Sequence, residues 1–171
     1  VGALLKMIKL TSPTHVVAVF DGEHQNPRKD IDSEYKANRP DFSQTPEEET
    51  PFSQLEDIYK ALDFLVIPHK ETEDCESDDW IAAYALKYGD KNEVIIASFD
   101  SDFFQLINEN VKVLRYRGDN TQIYDVNLFK EKFGILPSLY ADYKSLTGDT
   151  ADNIKGADKI GPKTAAALVN E

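Results

Sequence analysis

Two short apolar segments, each followed by aspartate, constrain the fold of this chain most strongly. Residues 15–20 (HVVAVF) lead directly into Asp21, and residues 93–98 (EVIIAS) lead into Asp100 and Asp102. Short runs rich in Val and Ile are typical of buried strands. In open α/β sheets, ligand sites lie at the carboxyl ends of the strands. We therefore expect both strands to deliver carboxylates to the same edge of one sheet.

Helical segments alternate with these strands. Ile81, Tyr84, Ala85 and Tyr88 recur at i, i+3, i+4 and i+7, which predicts a helix over residues 78–88. Further helices are predicted at 3–10, 54–62 and 101–107, strands at 64–67, 111–115 and 122–125, and a turn at 117–120. This alternation predicts an α/β fold with a mostly parallel central sheet flanked by helices.

The chain is predicted to have two parts. Residues 1–125 form the α/β core, and within it residues 22–54 are a polar, proline-containing excursion of the kind that usually has a functional role. Residues 126–171 are mainly helical, with breaks at Gly148, Gly156 and Gly161. No apolar run approaches the ~18 residues that would span a bilayer. A single cysteine, Cys75, fits a reducing cytoplasm.

The charge balance limits the possible partners. The chain has 19 basic and 31 acidic residues and a net charge of −12. Nucleic-acid binding normally requires a basic surface, so this balance argues against it unless the acids are clustered. Clustered acids that hold divalent cations reverse the sign of the local charge. The positions of the acids therefore matter more than their number.

The acids form four short groups. These are Asp21; Glu76, Asp78 and Asp79; Asp100 and Asp102; and Asp149 and Asp152. Like charges brought together repel each other unless cations neutralise them. Oxygen ligands without His or Cys select hard ions such as Mg²⁺ or Mn²⁺. Two such ions, ~3.5–4 Å apart, promote phosphodiester hydrolysis. The sequence thus predicts a two-metal hydrolytic site.

Each acidic group also has a simpler explanation. Asp78 and Asp79 could complement the dipole of the helix that they begin. Asp100 or Asp102 could cap the segment that follows, and the acids of GDTADN could lie in a solvated loop. An EF-hand is a poor alternative because no segment has the D-x-[DN]-x-[DN]-G spacing with a Glu at its end. The occurrence of four groups together, two of them at strand ends, favours the metal site.

Basic residues occur within the excursion. Arg28, Lys36 and Arg39 lie near Tyr35, the last two in EYKANRP. Cations beside an acidic metal site suit a phosphate substrate. The alternative is an ordinary solvated loop.

A glycine-containing segment, NIKGADKIGPKTA, lies near the end of the chain. Pro162 is suited to the first turn of a helix. Gly156 and Gly161 bracket a tight hairpin whose N–H groups, with Lys159 and Lys163, could contact a phosphate irrespective of sequence. The alternative is a plain helix–turn–helix packing unit.

The ordered motifs FD at 21, EYKANR, ESDD at 76–79, FDSDFFQL and TGDTADNIKGADKIGPKTA resemble the 5′-nuclease family. That family comprises the 5′-3′ exonuclease domain of bacterial DNA polymerase I, the stand-alone bacterial and phage 5′-3′ exonucleases, and the flap endonucleases. The resemblance covers nearly the whole chain. It implies a PIN-like fold with a C-terminal helix-hairpin-helix region, and hydrolysis of DNA as a 5′-3′ exonuclease or flap endonuclease that leaves 5′-phosphate ends.

The resemblance also implies roles for individual residues. The ligands of a first metal are expected to be Glu76, Asp78, Asp79 and Asp100. Those of a second metal are expected to be Asp102, Asp149 and Asp152. Asp21 resembles the family's strand-end acid and is counted both as a ligand and as a catalytic residue. Lys36 and Arg39 resemble catalytic residues at the base of the family's helical arch. Residues 156–167 resemble the helix-hairpin-helix element, which in the family often holds K⁺ against a DNA phosphate. The DNA-binding set is then Arg28, Lys36, Arg39, Lys155, Gly156, Lys159, Gly161, Lys163 and Thr164.

Some features depart from the family pattern. In the family, a strand carrying an IDG-type aspartate precedes the helix with which this sequence opens, so the chain is expected to be a fragment. Pro27, Ser77, Ser101, Ala151 and Lys155 replace the usual residues and favour a stand-alone or divergent member. The implied partners are DNA with 5′ ends or flaps and a DNA polymerase that is fused to the chain or associated with it. The protein is expected to be a monomer in the cytoplasm, at the nucleoid. The alternatives are a PIN-like ribonuclease and a catalytically impaired DNA-structure-binding fragment.

Overall fold

A computed structural model of the chain describes residues 1–22, 28–40, 45–46 and 49–171. These residues form two compact units. The first contains the described parts of 1–26 and 39–77, and the second contains those of 27–38 and 78–171. The division of the chain at residue 125 stays a prediction.

The helices and strands are as follows. The helices are α1 (Gly2–Thr11), α2 (Arg28–Ile31), α3 (Leu55–Phe64), α4 (Ser77–Tyr88), α5 (Val126–Phe133), α6 (Tyr140–Thr147) and α7 (Pro162–Val169). The strands are β1 (Ala18–Phe20), β2 (His69–Glu71), β3 (Val94–Ala97), β4 (Val111–Arg115), β5 (Gln122–Tyr124), β6 (Gly148–Asp149) and β7 (Ile154–Lys155). Short 3-10 helices lie at Pro51–Gln54, Asp102–Leu106, Gly118–Asn120 and Pro137–Leu139.

In the first unit, β1 and β2 pair in parallel, with Ala18 opposite His69. Tyr59 connects α3 to this pair, because its ring meets Phe20 edge-on at 5.0 Å and stacks on His69 at 5.1 Å. Leu62, on the same helix, is buried. The packing of α3 therefore supports the strand that leads to Asp21.

The end of β1 is fixed by a buried threonine. Thr72 is 2% exposed. It donates two hydrogen bonds to the Phe20 carbonyl, from its N–H at 3.0 Å and from its hydroxyl at 3.4 Å. The Thr72 hydroxyl in turn accepts the N–H of Gly22 at 3.4 Å. A Cβ on Gly22 would lie 2.0 Å from the Thr72 carbonyl oxygen, so only glycine allows the chain to pass so closely. Asp21 is thereby held at the strand end, as the sequence predicted. However, β1 and β3 belong to different sheets among the described residues, so the expectation that both strands share one sheet is wrong.

The second unit is built on the sheet β3–β4–β5. The strands β3 and β4 are parallel, with Ile96 opposite Val113, and β5 is antiparallel to β4. The connection from β3 to β4 contains Asp100 and the 3-10 helix that begins at Asp102. Both predicted ligands therefore follow the carboxyl end of a strand.

An aromatic core supports this connection. Phe104 is 1% exposed, and its ring lies 4.6–5.7 Å from those of Tyr124, Phe129, Phe133 and Tyr140. Burial of a side chain of this size contributes roughly 1.5–3 kcal/mol. Because Phe104 follows Asp102 by two residues, the core packing also fixes the acidic turn.

The C-terminal region is helical, as predicted. Asp125 caps α5 by accepting a hydrogen bond from the Leu128 N–H at 2.8 Å, and Gly134 ends the helix in the left-handed conformation. Pro162 occupies the first turn of α7, where its missing N–H costs nothing. The helices α6 and α7 pack together, and Ala165 is fully buried.

Most predicted elements are confirmed, but the strand predicted at 64–67 is wrong. There α3 continues to Phe64, Val66 has φ of +56°, and the strand is His69–Glu71. The apolar run FLVI misled because Phe64 and Val66 are 87% and 85% exposed. The polar strand that replaces it pairs through its backbone.

Other differences concern element length. The strand at 15–20 contracts to Ala18–Phe20, and the helix at 101–107 is the 3-10 segment Asp102–Leu106. Parts of the 22–54 excursion, including Pro27, lie outside the described residues. Among the helices that are described, none combines the length and apolar character needed to cross a membrane.

Candidate metal centre

Three aspartates from two distant segments meet in the second unit. Asp102, Asp149 and Asp152 each offer a carboxylate oxygen, and these oxygens all lie within 4.8 Å of one another. Within the described ranges, they form the one such group of three or more potential ligands. We call these residues the aspartate cluster.

The Asp102 side of the cluster is shaped by local hydrogen bonds. The Asp100 carboxylate accepts the N–H of Asp102 at 2.8 Å, and the Ser98 hydroxyl accepts the N–H of Asp100 at 3.0 Å. Short polar side chains that bond to the backbone two residues later stabilise turns of this kind. One carboxylate oxygen of Asp100 therefore holds the turn that presents Asp102.

The Asp149 side is shaped by a tight hairpin. Asp149 accepts the N–H of Ala151 at 2.9 Å, and β6 pairs with β7 across the turn. Gly148 has φ of +75°, and a Cβ there would lie 2.3 Å from the Gly156 nitrogen. Glycine is therefore needed both for the backbone angle and for the close approach of the two strands.

Lys144 of α6 lies against the cluster. Its ammonium donates a hydrogen bond to the Asp149 carboxylate and lies 3.6 Å from that of Asp102. Burial alone would raise the pKa of Asp149, but the Lys144 ammonium and the Ala151 N–H together lower it. Burial likewise opposes the charge on Lys144, yet its carboxylate partners raise its pKa. The sequence analysis missed this lysine.

Asp102 has the opposite pKa shift. Burial raises the pKa of Asp102 against the effect of the Lys144 ammonium, and the carboxylates of Asp100, Asp149 and Asp152 raise it further. The cluster's three carboxylates and one ammonium give a formal charge of −3 + 1 = −2. An oxygen-only donor set with excess negative charge fits hard divalent cations such as Mg²⁺ or Mn²⁺.

Tyr140, one turn before Lys144, is a buried residue of the hydrophobic core. Burial raises the pKa of its phenol, against a hydrogen bond with the Ser101 side chain. The i, i+4 spacing places Tyr140 and Lys144 on the same face of α6. That spacing could have pointed to Lys144 in the sequence, but the same pattern also suits ordinary core packing.

The remaining predicted ligands occupy the start of α4 and the end of β1. Asp21 accepts the N–H of Ser77, the first residue of α4, at 2.7 Å, which is a capping contact. Glu76 precedes α4, and Asp78 lies in its first turn. Asp79 forms an ion pair with Arg28 at 2.7 Å. Their role as ligands, with that of Asp100, stays a prediction.

The segment 34–38 is attached to the loop 150–153 that carries Asp152. The hydrogen bonds run from the Lys36 N–H to the Asp152 carbonyl at 3.0 Å, from the Asn38 amide to the Thr150 carbonyl at 3.0 Å, and from the Asn153 amide to the Glu34 carbonyl at 2.9 Å. The Lys36 ammonium lies 4.9 Å from the centre of the Tyr35 ring. Lys36 thus has its backbone fixed next to the aspartate cluster, whereas Arg39 is exposed in the first unit.

The predicted DNA-binding hairpin packs against the end of α6. The Ala157 N–H donates to the Leu146 carbonyl at 2.8 Å, and a Cβ on Gly156 would lie 2.5 Å from the Thr147 carbonyl oxygen. Lys155, Lys159, Gly161, Lys163 and Thr164 are exposed. Contact of this surface with phosphate stays a prediction.

Comparison with protein families gives two matches. Residues 1–134 match the family described as 5′-3′ exonuclease, N-terminal resolvase-like domain, and residues 135–171 match its C-terminal SAM fold. A 5′-3′ exonuclease of Aquifex aeolicus is 34% identical over 169 residues, which are 98% of this chain and 56% of that protein. A DNA polymerase I of Rhizobium leguminosarum is 39% identical over 162 residues, which are 94% of this chain and 15% of that protein.

Solved structures agree on the fold. The phage T5 D15 protein, co-crystallised with metal ions, is 21% identical with a TM-score of 0.78, and the match covers 99% of this chain and 65% of that chain. The catalytic core of Rad2 in complex with DNA is 18% identical with a TM-score of 0.59, over 99% of this chain and 51% of that chain.

Proposed function

Because the chain belongs to the 5′-3′ exonuclease family, we propose that it is the nuclease part of a protein that hydrolyses DNA phosphodiesters at 5′ ends or flaps, leaving 5′-phosphates. The aspartate cluster is the observation that carries this proposal. Its oxygen-only donors come from segments 47 residues apart, Asp102 and Asp149 (149 − 102 = 47), so a local cap or solvated loop does not explain it.

The proposed cofactors are two ions of Mg²⁺ or Mn²⁺. Asp102, Asp149 and Asp152 would hold one ion, and Asp21, Glu76, Asp78, Asp79 and Asp100 would supply the other predicted ligands. When bound, such ions activate water and stabilise the charge that develops on the phosphate oxygens.

The residues of the chain would position the substrate. Lys36, whose backbone is tied to the Asp152 carbonyl, would place its ammonium on the phosphate that is cut. Arg28 and Arg39 would engage neighbouring phosphates, since a guanidinium can donate two parallel hydrogen bonds to one phosphate. Lys144 would keep Asp149 and Asp102 close together, because its ammonium contacts both.

The hairpin would bind the DNA duplex at a distance from the phosphate that is cut. Lys155, Lys159, Lys163 and Thr164 are exposed around Gly156 and Gly161 and would contact the backbone phosphates, with K⁺ as a further proposed ion. Such contacts fix the position of the DNA without reading its sequence. We further propose that the chain acts as a monomer in the cytoplasm, at the nucleoid, fused to or associated with a DNA polymerase.

The test is cleavage of a 5′-flap DNA by the intact protein in Mg²⁺ or Mn²⁺. Asp102→Asn and Asp149→Asn should lower the cleavage rate by more than about 100-fold, the upper end of the loss seen for groups that merely orient ligands. The control is Asp142→Asn, an exposed acid of α6 away from the cluster, which should cleave like the wild type. Circular dichroism would verify that each variant is folded.

Other outcomes would contradict the proposal. Cleavage of single-stranded RNA but not of the flap would indicate a PIN-like ribonuclease. Flap binding in EDTA without any product in Mn²⁺ would indicate a DNA-structure-binding protein. Normal cleavage by the folded Asp149→Asn variant would remove the cluster from the active site.

A further inference from the structure

A cleft of about 440 Å³ opens at the end of the β4–β5 hairpin in the second unit. Small-ligand sites typically measure about 300–1,000 Å³. Its lining includes Arg115, Arg117, Asp119, Asn120, Gln122 and Tyr124. The cleft is polar, and neither the proposed metal centre nor the predicted DNA-binding residues account for it.

Arg115 is a cation held in a fixed position. Its guanidinium carbon lies 4.5 Å from the centre of the Phe104 ring, and Nη2 donates a hydrogen bond to the Phe99 carbonyl at 2.8 Å. Its Nε is buried and has no hydrogen-bond partner among the residues that the structure describes. A buried charged donor without a partner is costly. Because Arg115 also lines the cleft, its guanidinium is a fixed cation beside any anion that binds there.

Arg117 adds a second cation beside an exposed aromatic ring. Its guanidinium carbon lies 5.3 Å from the centre of the Phe99 ring, and Phe99 is 56% exposed. Proteins bind single-stranded DNA by stacking bases on such rings next to cations that contact the backbone. Phe99 and Arg117 therefore offer one contact for a base and one for a phosphate.

The remaining lining residues favour a base over a second phosphate. The Asp119 carboxylate would repel a phosphate but can accept hydrogen bonds from the amino groups of a base. Gln122 is oriented by the Tyr124 hydroxyl, which donates to its side-chain oxygen at 3.0 Å. The lining thus combines two cations with hydrogen-bonding groups, as in a site for a nucleotide.

The cleft adjoins the aspartate cluster through the chain itself. Phe99, whose carbonyl binds Arg115, directly precedes Asp100, and the Asp100 carboxylate accepts the N–H of Asp102. We propose that this cleft binds one phosphate of the DNA strand beside the phosphate that is cut, at Arg115 and Arg117. The base of the same nucleotide stacks on Phe99, which lies outside the cleft lining but against Arg117. This inference rests on the proposed function and adds a nucleotide subsite to it.

The test is the binding of a fluorescent 5′-flap DNA to the intact protein in EDTA, at several salt concentrations. We expect Arg117→Gln to weaken binding about tenfold and to reduce the slope of log Kd against log salt by about one, the loss for one phosphate contact. Phe99→Ala should weaken binding about tenfold with an unchanged slope, because stacking is uncharged. The control is Lys132→Gln, an exposed cation of α5 outside the cleft, which should keep the slope of the wild type.

The position of the nucleotide can be tested with uncharged phosphates. A series of flap DNAs would each carry one methylphosphonate near the junction. At one position next to the cut, the modification should weaken wild-type binding and leave Arg117→Gln without further loss. Arg115→Gln should behave in the same way if it folds, but the test depends on the exposed Arg117 and Phe99.

Several results would overturn the inference. An Arg117→Gln slope equal to that of the wild type would exclude a phosphate contact. Binding of deoxyadenosine monophosphate that requires Arg117, without any change in DNA binding, would indicate a free nucleotide as the ligand. These measurements need no cleavage, so failure of the nucleotide subsite and failure of the proposed function are distinguishable. Failure of the proposed function would appear as intact DNA in Mn²⁺.

Discussion

The backbone N–H of Lys36 donates a hydrogen bond to the carbonyl oxygen of Asp152 at 3.0 Å. This contact joins a residue expected to bind phosphate to a residue expected to bind metal, across 116 positions of the chain (152 − 36 = 116). Lys36 has φ of +56°, so its backbone adopts a conformation that a lysine rarely favours. The contacts between 34–38 and 150–153 therefore fix Lys36 with respect to the aspartate cluster.

The first prediction tests this attachment at Asn153. Its side chain donates to the Glu34 carbonyl, and its φ is +60°. Asn153→Gly removes the hydrogen bond but retains the backbone angle, and should lower the free energy of unfolding by about 0.5–1.5 kcal/mol. Asn153→Ala adds the cost of the left-handed angle, about 1–2 kcal/mol more. Urea denaturation would measure both, and equal values would show that the angle is not retained in solution.

The same pair of variants should affect cleavage. Because both release the segment that carries Lys36, we expect the cleavage rate to fall about tenfold, as it does for groups that orient an active site. An unchanged rate in both would mean that Lys36 is positioned by other contacts.

The second prediction concerns how the stability of the fold depends on pH. Asp149 and Asp102 should contribute to this dependence with opposite signs. The folded protein lowers the pKa of Asp149 below its ordinary 3.8, so this carboxylate stabilises the fold above that pH, and the stability is lost as pH falls through the folded pKa. The folded protein raises the pKa of Asp102 above 3.8, so its ionisation removes stability as pH rises through that range.

Metal-free variants should therefore diverge at neutral pH. Asp149→Asn should unfold more easily than the wild type at pH 7, and Asp102→Asn less easily, with both differences shrinking below about pH 4, near the ordinary carboxyl pKa. Thermal denaturation in EDTA at several pH values would measure this. Shifts of the same sign for both variants would show that the two carboxylates do not differ in environment.

The third prediction concerns Lys144. Lys144→Gln removes the ammonium that contacts Asp149 and Asp102, and should lower metal-free stability by about 1.5–3 kcal/mol, the usual contribution of a hydrogen bond between charged groups. Because the carboxylates then lack an internal cation, the affinity for Mn²⁺ should rise about tenfold, or ~1.4 kcal/mol. Calorimetric titration would measure the affinity, with Lys130→Gln of α5 as the control. A weaker affinity for Mn²⁺ would mean that the ordering of the ligands by Lys144 outweighs the effect of its charge.

The fourth prediction compares two glycines of the hairpin. A Cβ on Gly156 would lie 2.4–2.6 Å from backbone atoms of Leu146 and Thr147, which cannot move without shifting α6. Gly156→Ala should therefore cost at least about 1–3 kcal/mol, the usual range for overpacking. Gly161→Ala is the control, because no neighbouring atom lies within 4 Å of a Cβ there and φ is −92°. Thermal denaturation would show the difference, and equal stability of the two variants would contradict the packing described.

Much of the fold could be predicted from local patterns. Residues 94–97 and 111–115 are rich in Val and Ile, and both segments form strands, as predicted, because short runs of such residues favour buried strands. The strand His69–Glu71 could not be predicted in this way. It is polar and mostly exposed, so no apolar pattern marks its backbone pairing with β1.

The same distinction between local patterns and long-range contacts applies to the candidate metal site. The sequence by itself determined where carboxylates can stand, because Asp100 and Asp102 follow a strand and Asp149 and Asp152 follow a glycine turn, and both are local features of the chain. Only the tertiary structure decided that Asp102 meets Asp149 and Asp152 while Lys144 contacts two of them. Those contacts depend on the packing of α6 against the turn after β3, and long-range packing leaves no periodic signal in the sequence of either segment.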